Sequence, residues 1–441
     1  MNTGVFKSYD IRGIFGKDLN EETIRSAVRA IVALSHARMV SVGRDCRLSS
    51  PDIHGFVTDE LMQLGVTVHD IGLVPVETLY YTSAYLSDYD AALMITASHN
   101  PAEYNGLKMM GKNGTWFRGA DILAAIESGN LARPKEGGSI AEVDHRTPYL
   151  DHVRSFIDIA ALKPLKIVVD AGNGMAGKTI PLLTEGLPIQ IIPLAFDLDG
   201  NFPSRPPNPL APGALDKLRD CIREQSADGG VAFDADCDRV FFMDETGEFI
   251  PADITLALLA QEVLREHPGA TIVPNILCSR AVTEVVAELG GKTVRSPVGY
   301  INVRSVMQEH GGVLGGETSA HYVFAENKFL DSGFVPFMKM MEQLSHSLIP
   351  LSALVKGVKR YERITINVPR DEYPKAAEKI QKAFSDGKQD MLDGVTVNYP
   401  DWWLNVRLSN TEPILYITTE AATKDAAEEK RRIVLDALRS N

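Results

Sequence analysis

Strand and helix patterns alternate along most of this chain, and the alternation restarts twice. That recurrence limits the possible folds more than any single motif does. In the first stretch Asn20 caps a helix with Glu21 and Glu22 in its first turn, and Ile24, Ala27, Val28 and Ile31 share one helical face. There follow a strand over 39–42, the loop GRDCRLSS, and a helix opened by Pro51 and ended by Gly65. The strand VTVHDI, the helix ETLYYTSAYL and the strand DAALMIT complete the first unit. LKIVVD, AGNGMAG, MAGKTIPLL and IQIIPL begin the plan again, and VAFDADCDRVFFMDETGEFI reads as strand, loop, strand. TIVPNIL, SRAVTEVVAEL, KTVRS and INVRSVMQEH begin it a third time from near Pro251. Such alternation predicts mostly parallel sheets with helices on both faces. The region after about Val358 differs. RITINV, EYPKAAEKIQKAF, TVNYPDWWLNVRLSN, ILYITTEA and a charged helix near 424–439 predict a small α+β domain. PNPLAPG and HRTPY read as connecting segments.

Composition narrows the function classes. A chain of 441 residues exceeds one ordinary domain, and its net charge of −13 argues against a nucleic-acid partner. No apolar run approaches the roughly 18 residues that span a bilayer, and the N-terminus lacks the pattern of a secretory signal, so no membrane partner is expected. Cys46, Cys221, Cys237 and Cys278 are scattered with no CxxC pair, which suits reduced thiols in a cytoplasmic protein.

Four segments carry groups suited to chemistry. ITASHNPAEYNGLK, 95–108, places Ser98 in a tight loop beside His99 and Asn100, as a nucleophile, a phosphate carrier or simply a polar turn. In FDADCDR, Asp234, Asp236 and Asp238 repel one another unless a cation compensates. All-oxygen ligation suits a hard ion such as Mg²⁺ and leaves room for a phosphate oxygen, while Arg239 adds a fixed positive charge. GGETSAH, 315–321, alternates Glu317, Ser319 and His321, which would project together from an extended loop toward sugar hydroxyls. RLSNTEP, 407–413, offers Arg407, Ser409, Asn410 and Thr411 as a cradle for a phosphate dianion. A fifth segment, GNGMAG at 172–177, matches G-x-G-x-x-G after a strand, with Asp197 as a ribose-binding acid in a dinucleotide reading. A lone match is weak, and these glycines are read instead as a tight strand-to-helix turn.

Taken in order, from YDIRG to SNTEP, these motifs resemble the α-D-phosphohexomutase family, which includes phosphomannomutases and phosphoglucomutases. The resemblance implies an α/β protein of four domains: three related α/β units with mixed sheets, and a C-terminal α+β domain, around a central cleft. The expected limits are 1–146 with the phosphoserine loop, 147–249 with the metal loop, 250–357 with the sugar loop and 358–441 with the phosphate cradle. It implies that Ser98 is the phosphoserine and that Asp234, Asp236 and Asp238 bind Mg²⁺ together with a phosphoserine oxygen. Glu317 and Ser319 would contact sugar hydroxyls, and Arg407, Ser409, Asn410 and Thr411 the phosphate that is not reacting. Tyr9, Arg12 and Lys108 also match family active-site positions.

The implied reaction moves a phosphoryl group between hexose 1- and 6-phosphates through a hexose 1,6-bisphosphate, which serves as intermediate and activator. His321 or Lys108, the latter if its pKa is depressed, would take the hydroxyl proton, and Arg12 would stabilise charge. Phosphomannomutase activity, alone or with phosphoglucomutase activity, is expected. Phosphoglucosamine or phosphoglucose specificity is the nearer alternative, and an NAD-binding oxidoreductase or a non-catalytic sugar-phosphate binder the distant ones. A monomer or weak homodimer is expected. Tyr300 stands where His usually follows Val-Gly and Leu277 where Lys is frequent, departures that bear on sugar discrimination; Ala320 stands where Gly is usual, a small change that keeps His321. Arg12, Arg44, Arg47, Lys108, Arg239, Arg280, Arg304 and Arg407 are expected to converge as a local positive field.

Overall fold

The computed structural model describes residues 2–347, 349–373, 375–409 and 414–439. It forms two compact units, Met1–Phe249 with Leu330–Ser352, and Ile250–Phe329 with Ala353–Asn441.

In the first unit, one sheet runs in the order Asp10–Ile14, Tyr104–Gly111, Ala91–Ile95, Met39–Arg44, Thr67–Leu73, Ser139–Glu142. Its first two pairings are antiparallel and the rest parallel, so the sheet is mixed. AALMI is continuously apolar because both faces of that strand are covered. Ala91, Leu93 and Ile95 join a core with Ile24, Val28 and Ile31 on one face, while Ala92 and Met94 pack with Leu79 and Tyr80 on the other. The helix Glu21–Ser35 begins where Asn20 Oδ1 accepts from the Thr23 amide at 3.0 Å, a cap that stabilises by about 1 kcal/mol.

A second sheet in this unit orders Val240–Asp244, Gly229–Phe233, Leu165–Asp170 and Ile189–Leu194, antiparallel at the first pairing and parallel after it. In the second unit Lys292–Thr293, Thr271–Pro274 and Gly312–Gly316 are parallel, and Tyr322–Phe324 is antiparallel to the last. These three sheets share one plan. In each, a parallel core strand turns back into an antiparallel neighbour, and the returning loops are TASHNP, DADCDR and ETSAH. The divergent copies expected from the sequence thus place their polar loops at equivalent positions. The last sheet, in the order Glu362–Pro369, Ile414–Ala421, Trp402–Leu408, Val395–Asn398, Lys388–Asp390, is antiparallel and packs against Ala376–Ala383 and Lys424–Arg439.

HRTPY is not a connection. It opens the helix Arg146–Arg154, where Pro148 falls in the first turn and needs no amide partner, and Tyr149, Leu150 and Val153 are buried. Its Tyr149 hydroxyl donates at 2.9 Å to Glu77, a carboxylate 3 % exposed that also accepts from the amides of Gly333 and Phe334 and from the Ser332 hydroxyl. Burial pushes the Glu77 pKa up to about 8 despite these donors. Glu77 thereby caps the helix Phe334–Ser347 inside the first unit. No helix among the described residues is long and apolar enough to cross a membrane.

Gly106 lies opposite Arg12 between the first two strands, and a Cβ there would stand 1.9 Å from the Ile11 carbonyl oxygen. Gly106→Ala is expected to cost about 1–3 kcal/mol in urea unfolding. An unchanged midpoint would contradict this register.

Candidate active site

The loop after Ala91–Ile95 holds Ser98 in a left-handed conformation, φ 51°, and buries it to 1 % exposure. Its amide donates to Thr96 Oγ1 at 2.9 Å, and its Oγ donates to Asp234 Oδ2 at 2.9 Å and lies 3.2 Å from His99 Nδ1. Asp234, Asp236 and Asp238 are at most 1 % exposed, and each offers a carboxylate oxygen within 4.8 Å of the others'. The sequence folds this way because the loop follows the fully buried strand Gly229–Phe233 and returns through Val240–Asp244. The structure therefore joins Ser98 to the aspartate triplet across 136 residues of sequence.

Cations answer this charge. Lys108 Nζ pairs with Asp236 at 2.9 Å and Asp238 at 2.5 Å. Arg239 Nε lies 3.8 Å from Asp234 and 3.9 Å from Asp238. Arg12 donates to Asp10 at 2.5 Å and to Asn100 at 2.7 Å. Burial, joined by Asp238 and Asp236, holds the Asp234 carboxyl well above the ordinary carboxylate range, against the pull of Arg239 and Lys108. Burial pulls the Lys108 ammonium down, yet Asp236, Asp238 and Asp331 together raise it above the usual lysine value. Asp236 Oδ1 is buried with no hydrogen-bond partner among the described residues. An unmatched anionic oxygen beside two further carboxylates and a hydroxyl is a donor set that fits a hard divalent cation. Tyr9 lies half-buried just before the strand that carries Arg12.

In the second unit, Glu317 is 3 % exposed; its Oε1 accepts from Asn275 at 2.9 Å and from the Gly299 amide at 2.6 Å, and its Oε2 lies 3.4 Å from Ser319 Oγ. The GETSAH loop is a tight turn, not the extended loop expected. The Ala320 amide donates to the Glu317 carbonyl, the Glu317 amide donates to the His321 carbonyl, and Ala320 has φ 64°. That positive φ is the physical reason a glycine suits this position. His321 stacks on Tyr300 with ring centroids 5.0 Å apart. Arg407 lies over the Tyr416 ring at 4.6 Å and lines a cavity of 1040 Å³ that Arg370 and Lys375 also border. Its Nε is buried with no hydrogen-bond partner among the described residues. The Ser409 amide donates to the Ile414 carbonyl at 3.0 Å, while Asn410 and Thr411 lie outside the described residues.

Of the eight cations expected to converge, Arg47 and Arg280 are bound to backbone carbonyls, and Arg44 faces Asp70 at 4.0 Å. GNGMAG forms the expected tight strand-to-helix turn. A Cβ on Gly172 would meet the Arg205 guanidinium at 2.5 Å, one on Gly174 the Ala235 carbonyl at 2.7 Å, and one on Gly177 the Phe196 carbonyl at 2.1 Å, so the chain itself fills the space a pyrophosphate needs. Arg205 is buried there, pairing with Asp170 at 2.7 Å and donating to the Phe233 carbonyl at 2.7 Å. The sequence reading also missed Thr96 and Tyr80. Thr96 Oγ1 donates to Asp236 at 3.2 Å, and the Tyr80 hydroxyl lies 3.4 Å from Lys108 Nζ. The one available signal was that Thr96 precedes Ser98 on the same loop.

Comparison with known proteins shows the family. Four family models match in chain order: phosphoglucomutase/phosphomannomutase alpha/beta/alpha domain I over 3–130, domain II over 147–247, domain III over 251–361, and the C-terminal domain over 364–437. The chain belongs to the phosphoglucomutase/phosphomannomutase family. A phosphomannomutase/phosphoglucomutase of Pseudomonas aeruginosa is 37% identical, the match covering 99% of this chain and 96% of that protein. A phosphomannomutase of Salmonella typhimurium is 34% identical over 98% of both chains. The crystal structure of a phosphoglucomutase/phosphomannomutase family protein from Burkholderia thailandensis superposes with a TM-score of 0.90 at 31% identity, covering 100% of this chain and 99% of that one. Members of the phosphoglucomutase/phosphomannomutase family are phosphohexomutases, isomerases of carbohydrate metabolism acting on phosphorylated sugars, and this chain is an enzyme of that class.

Removing Lys108 leaves buried carboxylates without their nearest cation. Lys108→Met is expected to lower stability by about 3–5 kcal/mol in unfolding experiments run with a chelator. Wild-type stability under those conditions would mean that the carboxylates are neutralised without Lys108.

Proposed function

We propose that this enzyme is a phosphomannomutase that also accepts glucose phosphates, interconverting hexose 1-phosphate and 6-phosphate through phospho-Ser98 and a 1,6-bisphosphate. The observation that carries the reading is the Ser98 hydroxyl held 2.9 Å from a buried aspartate triplet in a chain of this family. Relatives named phosphomannomutase and phosphomannomutase/phosphoglucomutase, at 34% and 37% identity, support the sugar assignment. In this reading 1–146 supplies the serine, 147–249 the carboxylates, 250–357 the sugar contacts and 358–441 the phosphate cradle.

Asp234, Asp236 and Asp238 would hold Mg²⁺, together with phosphorylated Ser98. When bound, the ion offsets the carboxylates' charge and polarises the phosphoryl group. Glu317 and Ser319 orient the sugar by its hydroxyls, helped by Tyr9 and Tyr300, and Arg407, Ser409, Asn410 and Thr411 hold the phosphate that is not reacting. The bond from phosphorus to Ser98 Oγ breaks as one forms to the free sugar hydroxyl, whose proton passes to His321. Lys108, engaged by two carboxylates, acts with Arg12 and Arg239 in balancing charge. The bisphosphate turns end over end, and its other phosphoryl group returns to Ser98. We also place the enzyme in the cytoplasm, since Cys46, Cys221, Cys237 and Cys278 are all free thiols.

The test is turnover of mannose 1-phosphate with Mg²⁺ and a trace of glucose 1,6-bisphosphate, with glucose and glucosamine 1-phosphates in parallel. Ser98→Ala is expected to lower kcat by about a thousandfold or more, and a chelator to abolish turnover until Mg²⁺ is restored. Arg407→Ala is expected to raise KM by about tenfold or more. Full activity in the Ser98 variant would overturn the carrier assignment.

A further inference from the structure

One buried cation beside the reacting serine touches no carboxylate of the triplet and is aimed at the backbone. Arg47 is 1 % exposed. Its Nη2 donates to the Ser98 and Asn100 carbonyls, each at 2.7 Å, and its Nη1 donates to the Pro101 carbonyl at 2.6 Å and the Tyr104 carbonyl at 3.0 Å. Its Nε donates to Asp45 at 3.2 Å. A guanidinium carries five N–H donors in a fixed fork, and all five are engaged here, leaving none for a ligand. The Phe202 ring covers the group, with its centroid 5.1 Å from the guanidinium carbon. Asp45 is itself fixed by the Arg47 amide at 3.0 Å and the Ser50 hydroxyl at 2.7 Å.

We propose that Arg47 is the positioning residue that holds Ser98 in its transfer-competent conformation. The inference rests on the carrier reading of Ser98. A serine at φ 51° occupies a region that L-residues rarely adopt, so the loop needs outside support to keep it there. Arg47 supplies that support by binding the carbonyl of Ser98 itself together with those of three residues just after it. The Ser98 Oγ to Asp234 Oδ2 distance of 2.9 Å joins two different sheets, so it depends on where this loop stands. In-line phosphoryl transfer loses rate steeply when the reacting atom is displaced by an ångström. Lysine cannot substitute, because one ammonium with three donors cannot span carbonyls spread along the loop.

The test compares wild type, Arg47→Lys, Arg47→Ala and Ser98→Ala with mannose 1-phosphate, Mg²⁺ and glucose 1,6-bisphosphate, after cooperative melting has established which variants fold. Arg47→Lys is expected to keep KM within about threefold of wild type while kcat falls by about a hundredfold. Millimolar guanidinium should restore part of the kcat of Arg47→Ala and none of that of Ser98→Ala. Wild-type kcat in Arg47→Lys, or a loss matched by the fraction of unfolded protein, overturns the proposal. So does failure of both Arg47 variants to fold, which would make the residue one of stability alone. A wild-type enzyme that does not turn over mannose 1-phosphate would instead defeat the functional reading.

Discussion

Negative charge confined out of water is the constraint around which the first unit is organised. Three aspartates are buried together, and a serine that would carry a phosphoryl dianion donates to one of them. Buried carboxylates are costly unless paired, and pairing alone does not make such a cluster stabilising. Its retention in a buried loop therefore points to chemistry. Lys108, on the strand opposite Asp10, and Arg239, on the aspartate loop itself, face the cluster from two different sheets. The Lys108 counter-charge is thus built into a strand, which fixes it better than a flexible surface side chain would.

The repeated sheet plan explains how remote segments reach equivalent places. A loop between a parallel core strand and its antiparallel return is short at its base and exposes backbone carbonyls that need partners. Two copies meet that need from near the end of the neighbouring parallel strand, and the third uses the same place to hold a side chain. Asp45 anchors Arg47 beneath the serine loop, Asp170 anchors Arg205 beneath the strand leading to Asp234, and Asn275 holds Glu317. The side chains differ, but the position they support is the same, so divergence in sequence has left the architecture intact.

Much of this was legible in the residues. The helix face of Ile24, Ala27, Val28 and Ile31 is fully buried, and Gly65 takes a positive φ at the helix end where it was read. Apolar runs and spacing-two carboxylates are local signals, and local signals survive in one dimension. What escaped was conformational or distant. The turn at Ala320 follows from a φ that its side chain does not advertise, and Pro148 looked like a breaker although its missing amide costs nothing in a first turn. The roles of Tyr80 and Thr96 depend on pairings to Asp238 and Asp236 that span 158 and 140 residues, beyond any periodicity.

The capping of Glu77 has a consequence for how the protein is made. Its acceptors are filled by Ser332, Gly333 and Phe334, while the strands it sits among lie far toward the N-terminus. During synthesis the early sheets emerge from the ribosome well before that segment. Until it arrives, the Glu77 carboxyl can be met by Tyr149 but lacks its other three donors. The first unit can therefore close fully only after residues 250–329, the leading part of the second, have been translated.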